Sequence, residues 1–270
     1  MAFLHGLLIS LLPVAYLFLI APRQGKMCMQ DMPRYFAHRG MHDAKNAVPE
    51  NSLAAFRRAI GKGYGIELDV HLAKDGSVIV HHDDSLLRLC GVDRKISETG
   101  LDVLAGYCLG ETDEKIPTLS QVLKVVHGQV PLLIELKTDR CGDNRLAARV
   151  HEEMQGYLGV WLVQSFDPLQ LRWFKKHAPH VLRGQLAFDQ GKLPGKKPSF
   201  SERMAGHLLF NFLSRPDFIS YGYETDKNFS FRVMRAVFHP VLAAWTVRSK
   251  KDSEALHETY DAQIFEAFHP

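Results

Sequence analysis

Three carboxylates lie within apolar segments whose composition is typical of β-strands. Glu67 and Asp69 are two residues apart in segment 66–70, so both side chains project from the same face of a strand. Glu135 lies in the similar segment 132–137, and this third acid favours a metal site over solvated acids on an edge strand. Because an isolated carboxylate is costly in an apolar setting, a bound cation is the simplest compensation. Oxygen donors without cysteine partners favour a hard divalent cation, Mg²⁺ or Ca²⁺, over zinc.

Two histidine motifs provide groups for proton transfer. His38 ends the predicted strand 35–38 and is followed by Arg39, whose guanidinium offers a forked set of donors to phosphate. In the pair His81 and His82, neighbouring residues of a strand point to opposite faces, so at most one faces the metal. Two separated histidines with pKa values near neutrality suit phosphodiester cleavage, one as general base and the other as general acid. Taken alone, the first motif is explained as well by a structural histidine beside a surface arginine.

Further candidates flank these residues. Glu50 precedes a predicted helix and is either a carboxylate near the metal or an acid stabilised by the helix dipole. Lys137 shares a strand face with Glu135. Trp245 and Phe166 lie near predicted strand ends, where they either contact a bound glycerol or headgroup or belong to the core.

The elements that must position these residues alternate between short β-branched or aromatic runs and longer helical stretches, the pattern of βαβ units. Eight strands are predicted, so the expected fold is a (β/α)8 TIM barrel, with an open doubly wound sheet as the alternative. Asn51 and Asp167 are predicted to cap the helices that follow them. Segment 77–117 breaks the alternation and is predicted to be a small insertion in the barrel. The predicted strands are 35–38, 66–70, 132–137, 161–164, 183–188, 218–221, 242–247 and 263–268.

The N-terminal residues 1–22 contain no Asp, Glu, Lys or Arg, and the run 6–21 is almost wholly apolar. The segment has neither the basic start nor the clear cleavage site of a signal peptide, so it is predicted to be an uncleaved single-pass membrane anchor. Pro13 would kink such a span, which leaves a buried or re-entrant helix as the alternative. Arg23, Lys26 and Arg34 follow the run and no Lys or Arg precedes it, which predicts a catalytic domain on the cytoplasmic side.

Composition narrows the remaining possibilities. The 270 residues are 46% hydrophobic, enough for one large domain with a substantial core. The net charge of +3 comes without a long Lys/Arg block, so no nucleic-acid partner is expected. The cysteines are scattered without a CxxC pair, which predicts reduced thiols and neither a zinc cluster nor a disulfide framework. They are Cys28, Cys90, Cys108 and Cys141.

An ordered set of short motifs resembles the glycerophosphodiester phosphodiesterase family across residues 34–270. The resemblance implies a TIM-barrel catalytic domain over residues 33–270 with a small insertion after the second strand. The apolar N-terminal segment 1–22 that precedes it is a departure from the family, because many soluble members lack it. It implies three roles: acid/base catalysis by His38 and His82; metal binding by Glu67, Asp69 and Glu135; and phosphate contact by Arg39 and Lys137. The matching motifs are HRG at 38–40, PENSLAAF at 49–56, IELDV at 66–70, KDG at 74–76, HDDSL at 82–86, ELK at 135–137, QSF at 164–166 and WTV at 245–247.

The family mechanism implies that a neighbouring glycerol hydroxyl attacks phosphorus, and that water opens the cyclic phosphate to glycerol 3-phosphate and an alcohol. A lysophospholipase D activity on lipid substrates is one alternative, with the apolar segment 208–213 as a candidate acyl groove. A noncatalytic membrane-tethered binding barrel is another alternative. The two histidines and three carboxylates to which the resemblance gives catalytic and metal-binding roles are all retained, which argues against it. The last strand departs from the family, which more often has a glycine-rich turn and an aspartate there. Glu266 either replaces a carboxylate at the mouth of the barrel or has no role.

Overall fold

Eight parallel strands form a closed barrel, with helices between successive strands, in the part of the chain that the structure describes. The computed structural model describes residues 2–23, 25, 32–138, 140–195 and 197–270, and only the backbone of residues 2–10. β9 pairs with β1 and β1 pairs with β2, which closes the sheet. The predicted TIM barrel is confirmed, and the doubly wound alternative is wrong. The strands are β1 Tyr35–Ala37, β2 Gly65–Leu72, β3 Val78–Val80, β4 Leu132–Leu136, β5 Trp161–Ser165, β6 Arg183–Ala187, β7 Phe218–Gly222, β8 Val241–Val247 and β9 Ala262–Phe265.

The helices surround the barrel and bury one apolar face against it. The described helices are α1 Ala2–Ile20, α2 Leu53–Lys62, α3 Leu87–Cys90, α4 Leu101–Leu104, α5 Leu119–Val126, α6 Arg145–Glu153, α7 Pro168–His177, α8 Phe200–Gly206, α9 Asn211–Ser214, α10 Phe229–Phe238 and α11 Lys250–Leu256. Ser52 caps α2 by accepting from the Ala55 amide, so the prediction that Asn51 caps this helix is wrong. Asp167 caps α7 as predicted.

Side chains alternate along the barrel strands between the helical layer and the barrel interior. In β2, Ile66, Leu68 and Val70 join the core beneath the helices, while Glu67 and Asp69 point inward. The interior nearer the strand starts is apolar, so the acids are restricted to the carboxyl-end half. That lower layer is filled by Phe36, Leu133, Leu162, Phe218, Ala243, Ala262 and Ile264.

Several strands end earlier than predicted, which moves functional residues into the loops at the carboxyl-end face. β1 ends at Ala37 and β4 at Leu136, so His38 and Lys137 each stand one residue beyond a strand. β9 ends at Phe265, three residues before the predicted end. In a barrel of this type the carboxyl-end face carries the catalytic groups, and we call it the mouth.

The predicted insertion contains a strand and short helices with a core of their own. β3 pairs antiparallel with β2, and α3 and α4 follow. Because β3 pairs with the residues at the carboxyl end of β2, from Val70 to Leu72, the insertion begins at the mouth. Their core consists of Ala73, Ile79, Leu86, Ile96, Leu104, Leu109 and Ile116.

The N-terminal helix α1 is attached to the barrel by its last turn. Ile20 is fully buried, and its carbonyl accepts from Asn211 Nδ2 at 2.9 Å. Arg215 donates to the carbonyls of Phe18 and Ala21. Among the described residues, no helix has both the length and the apolar character needed to cross a bilayer.

The apolar segment 208–213, predicted as a possible acyl groove, includes the first three residues of α9, which packs against α7 and α1. Leu208 is buried. Two residues used in the sequence predictions lie outside the described residues: Lys26, used for the membrane orientation, and Cys28, used for the redox state of the cysteines. Cys90, Cys108 and Cys141 are free thiols.

Candidate active site

The three predicted carboxylates meet inside the barrel near its mouth. Glu67 and Asp69 come from β2, and Glu135 from β4, where it lies directly opposite Asp69 in the parallel register. Each is nearly or fully buried. One oxygen from each carboxylate lies within 4.8 Å of the others. The period of two along β2 and the register with β4 together produce this cluster.

Neighbouring polar groups hold the carboxylates in place. Asn51 Nδ2 donates to Asp69 at 2.8 Å, and the Arg39 amide donates to Glu67 at 3.0 Å. Lys137 Nζ lies 2.5 Å from Glu135 and 2.9 Å from Asp69. These contacts leave three acids facing one another, with the Lys137 ammonium between two of them and the Arg39 guanidinium 3.4 Å from Asp69.

The charges of the cluster are unequally balanced. Burial, together with repulsion from Asp69 and Glu135, raises the pKa of Glu67 well above its ordinary value. Burial also raises the pKa of Glu135. Burial opposes ionisation of Asp69 as well, but Lys137 and Arg39 overcome it and lower the pKa of Asp69. The uncompensated repulsion and the close oxygens fit a divalent cation with oxygen ligands, which these three residues would hold.

His38 is held by a carboxylate from the opposite end of the sequence. Its Nδ1 lies 2.6 Å from Glu266 Oε2, and Arg248 Nε donates to the other oxygen at 2.7 Å. Burial lowers the pKa of His38, while the contact with Glu266 acts in the opposite direction. His42 Nε2 lies 3.5 Å from the same Glu266 oxygen. Glu266 therefore fixes the ring of His38 and leaves its Nε2 for chemistry.

His82, on the other side of the mouth, is also held by a carboxylate. Its Nδ1 lies 2.7 Å from Asp83 Oδ1, and Arg88 donates to Asp83 Oδ2 at 2.6 Å. Burial lowers the pKa of His82, and the charge of Asp69 opposes that shift. His81 is fully buried, with Nδ1 bonded to the Asp83 carbonyl. The structure thus separates the two adjacent histidines as the strand geometry predicts.

Both histidines, both phosphate-contact candidates and two of the acids line one cavity of about 190 Å³ at the mouth. Trp245 and Phe166 form an aromatic wall there, with ring centroids 5.6 Å apart. Glu50 lies behind the cavity and pairs with Arg39 at 2.8 Å and Arg88 at 2.6 Å. The cavity is lined by His38, Arg39, Glu67, His82, Glu135, Lys137, Gln164, Phe166, Leu186, Trp245, Thr246, Arg248 and Ile264.

Sequence reasoning missed several residues that support the site. Asn51 and Gln164 donate to the buried carboxylates. Gln164 stands in the motif QSF, in which it carried no assigned role at the site. Asp83 was adjacent to a predicted histidine, which was a usable signal. Arg248 has no sequence signal that links it to His38, because they meet only when the barrel closes.

The arrangement combines two half-buried histidines, each with a carboxylate partner, with basic side chains and a carboxylate cluster in one small cavity. Such a cavity can deprotonate one oxygen, protonate another and stabilise negative charge between them. A phosphodiester has all three needs.

A family comparison agrees with this chemistry. The model of the glycerophosphoryl diester phosphodiesterase family matches residues 38–261, more than half of the chain. A glycerophosphodiester phosphodiesterase of Caldanaerobacter subterraneus subsp. tengcongensis is 36% identical over 160 residues, which cover 56% of this chain and 65% of that protein. A lysophospholipase D of Homo sapiens is 31% identical over 148 residues, covering 48% of this chain and 45% of that protein. The chain thus spans less than two thirds of the length of both relatives.

Solved structures give the same fold. The crystal structure of a glycerophosphodiester phosphodiesterase from Thermotoga maritima is 27% identical, with a TM-score of 0.65, and covers 87% of this chain and 94% of that one. An Oleispira antarctica phosphodiesterase in complex with the product sn-glycerol-3-phosphate is 24% identical, with a TM-score of 0.71, and covers 88% and 94%. The second likeness supports the fold alone.

Proposed function

This chain belongs to the glycerophosphoryl diester phosphodiesterase family, and from this premise we propose that it hydrolyses glycerophosphodiesters to glycerol 3-phosphate and an alcohol. The observation that carries the proposal is the placement of His38 and His82 in one cavity with Arg39 and Lys137. Both cations suit the phosphoryl oxygens, and both histidines lie where they can reach the flanking oxygens.

In the proposed mechanism, one histidine removes a proton from the glycerol hydroxyl beside the phosphodiester. That oxygen forms a bond to phosphorus, the bond from phosphorus to the leaving alcohol breaks, and the other histidine gives the alcohol a proton. Water then opens the cyclic phosphate, with the proton transfers reversed. Glu266 and Asp83 hold the Nδ1 atoms, so each histidine presents Nε2 to the substrate.

Glu67, Asp69 and Glu135 would hold a divalent cation, Mg²⁺ or Ca²⁺, beside this cavity. When bound, such a cation stabilises negative charge on the phosphoryl oxygens. Arg39 contributes positive charge from the same side, because Glu50 holds its guanidinium. Lys137 contributes from β4, held between Asp69 and Glu135. The aromatic wall of Trp245 and Phe166 would contact the glycerol or headgroup.

The test is a substrate panel of glycerophosphocholine, glycerophosphoethanolamine and glycerophosphoinositol, assayed with Mg²⁺, Ca²⁺ or EDTA. We expect release of glycerol 3-phosphate with at least one cation and loss of activity in EDTA. Hydrolysis of no substrate in any cation would overturn the enzymatic proposal and favour a noncatalytic binding barrel. Equal rates in EDTA would overturn the metal requirement.

A lysophospholipase D activity is the second candidate, because the exposed apolar part of α1 gives the barrel a means of reaching lipid. Leu11, Leu12 and Val14 are exposed there. We propose that this helix attaches the chain to a membrane, with the barrel on the cytoplasmic side. Lysophosphatidylcholine belongs in the same substrate panel, and choline release from it would identify this activity.

A further inference from the structure

The direction of α1 relative to the barrel follows from its contacts. The amide of Arg23 donates to the Pro216 carbonyl at 2.8 Å, and Pro216 immediately precedes β7, at the face opposite the mouth. Tyr16 Oη donates to Ser230 Oγ at 2.7 Å, and Ser230 lies at the start of α10, which follows the carboxyl end of β7. From Arg23 back to Tyr16, the chain therefore runs from the opposite face toward the mouth.

Beyond Tyr16, the backbone of α1 continues in the same direction, toward the mouth side. All five residues 11–15 are exposed, and all are apolar: Leu11 is 54%, Leu12 67% and Val14 62% exposed. The helix continues to Ala2, which at about 1.5 Å per residue places its start on the order of 20 Å beyond Tyr16. Residues 11–15 form more than one helical turn that is apolar on every side, and such a turn requires an apolar environment around it.

The rim beside α1 has a matching composition. Phe229 at the start of α10 is 68% exposed and its ring stacks on Tyr16, and Phe200 at the start of α8 is 79% exposed. Both helices follow barrel strands that end at the mouth, β7 and β6, so both phenylalanines lie on the mouth side. The loop before α8 carries the exposed Lys192 and Lys197, and in the loop before α10 the exposed Lys227 is accompanied by the exposed Glu224. Exposed aromatic and basic side chains together are typical of contact with an anionic lipid surface.

We propose that the mouth of the barrel faces an anionic bilayer, with the exposed part of α1 inserted in it and Phe200, Phe229 and the loop lysines at its surface. A bilayer satisfies the apolar helix on every side, and the lysines favour anionic headgroups. The part of this inference that concerns the substrate rests on the proposed function. The active site would bind phosphodiesters at the membrane surface, including those whose glycerol retains an acyl chain.

The orientation is tested with the full chain and vesicles of equimolar phosphatidylcholine and phosphatidylglycerol with brominated acyl chains, which quench tryptophan at the membrane. Phe200→Trp places a probe at the mouth, and Leu158→Trp places a matched probe between α6 and β5, at the opposite face. Leu158 is fully exposed, so neither substitution disturbs a core. We expect the vesicles to quench the added fluorescence of Phe200→Trp and to leave that of Leu158→Trp unchanged.

Charge reversal gives an independent measurement. Lys197→Glu should weaken binding to the same vesicles, on the order of fivefold for one lysine near the surface. Lys124→Glu in the last turn of α5, at the opposite face, is the matched control and should bind like the unmodified chain. Binding to phosphatidylcholine vesicles alone should be weaker for all three proteins.

Quenching of Leu158→Trp, equal quenching of both probes, or quenching of neither would overturn the proposed orientation. Self-association of the chain through α1 without vesicle binding would identify a second copy as the occupant and overturn it too. Hydrolysis of soluble glycerophosphocholine, measured on the same proteins, separates the two proposals. Activity with the wrong quenching pattern rejects only the orientation, and the expected quenching without activity rejects only the proposed function.

Discussion

At the scale of single residues, the two adjacent histidines provide the sharpest comparison. His82 lines the cavity, whereas His81 is buried on the other side of the chain. We expect His82→Asn to lower kcat by about 10²–10⁴-fold, the usual contribution of a general acid or base. His81→Asn should keep most of the activity of the folded protein, with its effect confined to thermal stability. Equal losses of kcat in folded samples of both variants would mean that His82 has no special role.

Glu266 should set the pH dependence through His38. Its charge and hydrogen bond raise the pKa of His38 against the effect of burial, so Glu266→Gln should lower that pKa. In the profile of kcat/KM against pH, one limb reports the ionisation of His38. This limb should move to lower pH, whether the histidine acts as acid or base. Glu266→Asp retains the charge and should move the limb less.

The control for this variant is Glu258→Gln, which removes an exposed carboxylate from the loop after α11. Its profile should overlay that of the unmodified enzyme. A Glu266→Gln profile that also overlays it would show that Glu266 does not act on His38. A uniform fall in rate without displacement would assign Glu266 a purely structural part.

At the scale of elements, the register of β2 and β4 brings the carboxylates of Glu67, Asp69 and Glu135 together. These carboxylates repel one another when no cation is bound. Because the pKa of Glu67 is raised in the folded state, the folded protein retains a proton that the unfolded chain has lost. Without metal, stability therefore falls as pH rises from the unfolded value of about 4.3 through the raised folded value. At neutral pH, Glu67→Gln should increase the Tm of the metal-free protein, by about 2–4 °C for each kcal/mol relieved.

The same measurement tests the metal site. Mg²⁺ or Ca²⁺ should raise the Tm of the unmodified protein and raise that of Glu67→Gln much less. Glu254→Gln, an exposed acid in α11, should respond to the cation like the unmodified protein. A metal-free Glu67→Gln that melts below the unmodified protein would contradict the repulsion argument.

The sequence predicts those features of the site that depend on local periodicity. The inward direction of Glu67 and Asp69 follows from the period of two along a strand. His81 and His82 lie just beyond β3, and their side chains point apart as that period predicts. The contact of Glu266 with His38 joins residues 228 apart in the chain. It depends on pairing between the first and last strands, and no local pattern encodes barrel closure.

The residue at which α2 begins could not be predicted from local sequence either. Asn51 was predicted to cap α2, but its side chain bonds Asp69, and Ser52 takes the cap. Both residues suit a cap by type, so propensity cannot choose between them. The choice is made by the buried carboxylate, which needs a donor that only the fold brings near.

At the scale of the whole molecule, α1 is packed against the barrel over its last turn, whereas its described side chains before Tyr16 are exposed. Ile20 is fully buried, and Asn211 and Arg215 bond carbonyls of the last turn and of Ala21. Residues 11–15 contact nothing comparable. The helix therefore combines a structural part, which stabilises the barrel, with an exposed part, which we propose to enter lipid.

Two deletions separate these parts. Removal of residues 2–10 should abolish most vesicle binding and leave the thermal stability of the barrel unchanged. Removal of 2–22 should abolish vesicle binding and also destabilise the barrel. Loss of the buried Ile20 costs about 1.5–3 kcal/mol, and the unpaired buried amide of Asn211 costs about 1–3 kcal/mol more.

Asn211→Ala in the full chain should reproduce part of that destabilisation while retaining vesicle binding. If the barrel without 2–22 unfolds at the same urea concentration as the full chain, the last turn of α1 contributes nothing to the fold, and the attachment that orients the helix toward the mouth is too weak to hold it there.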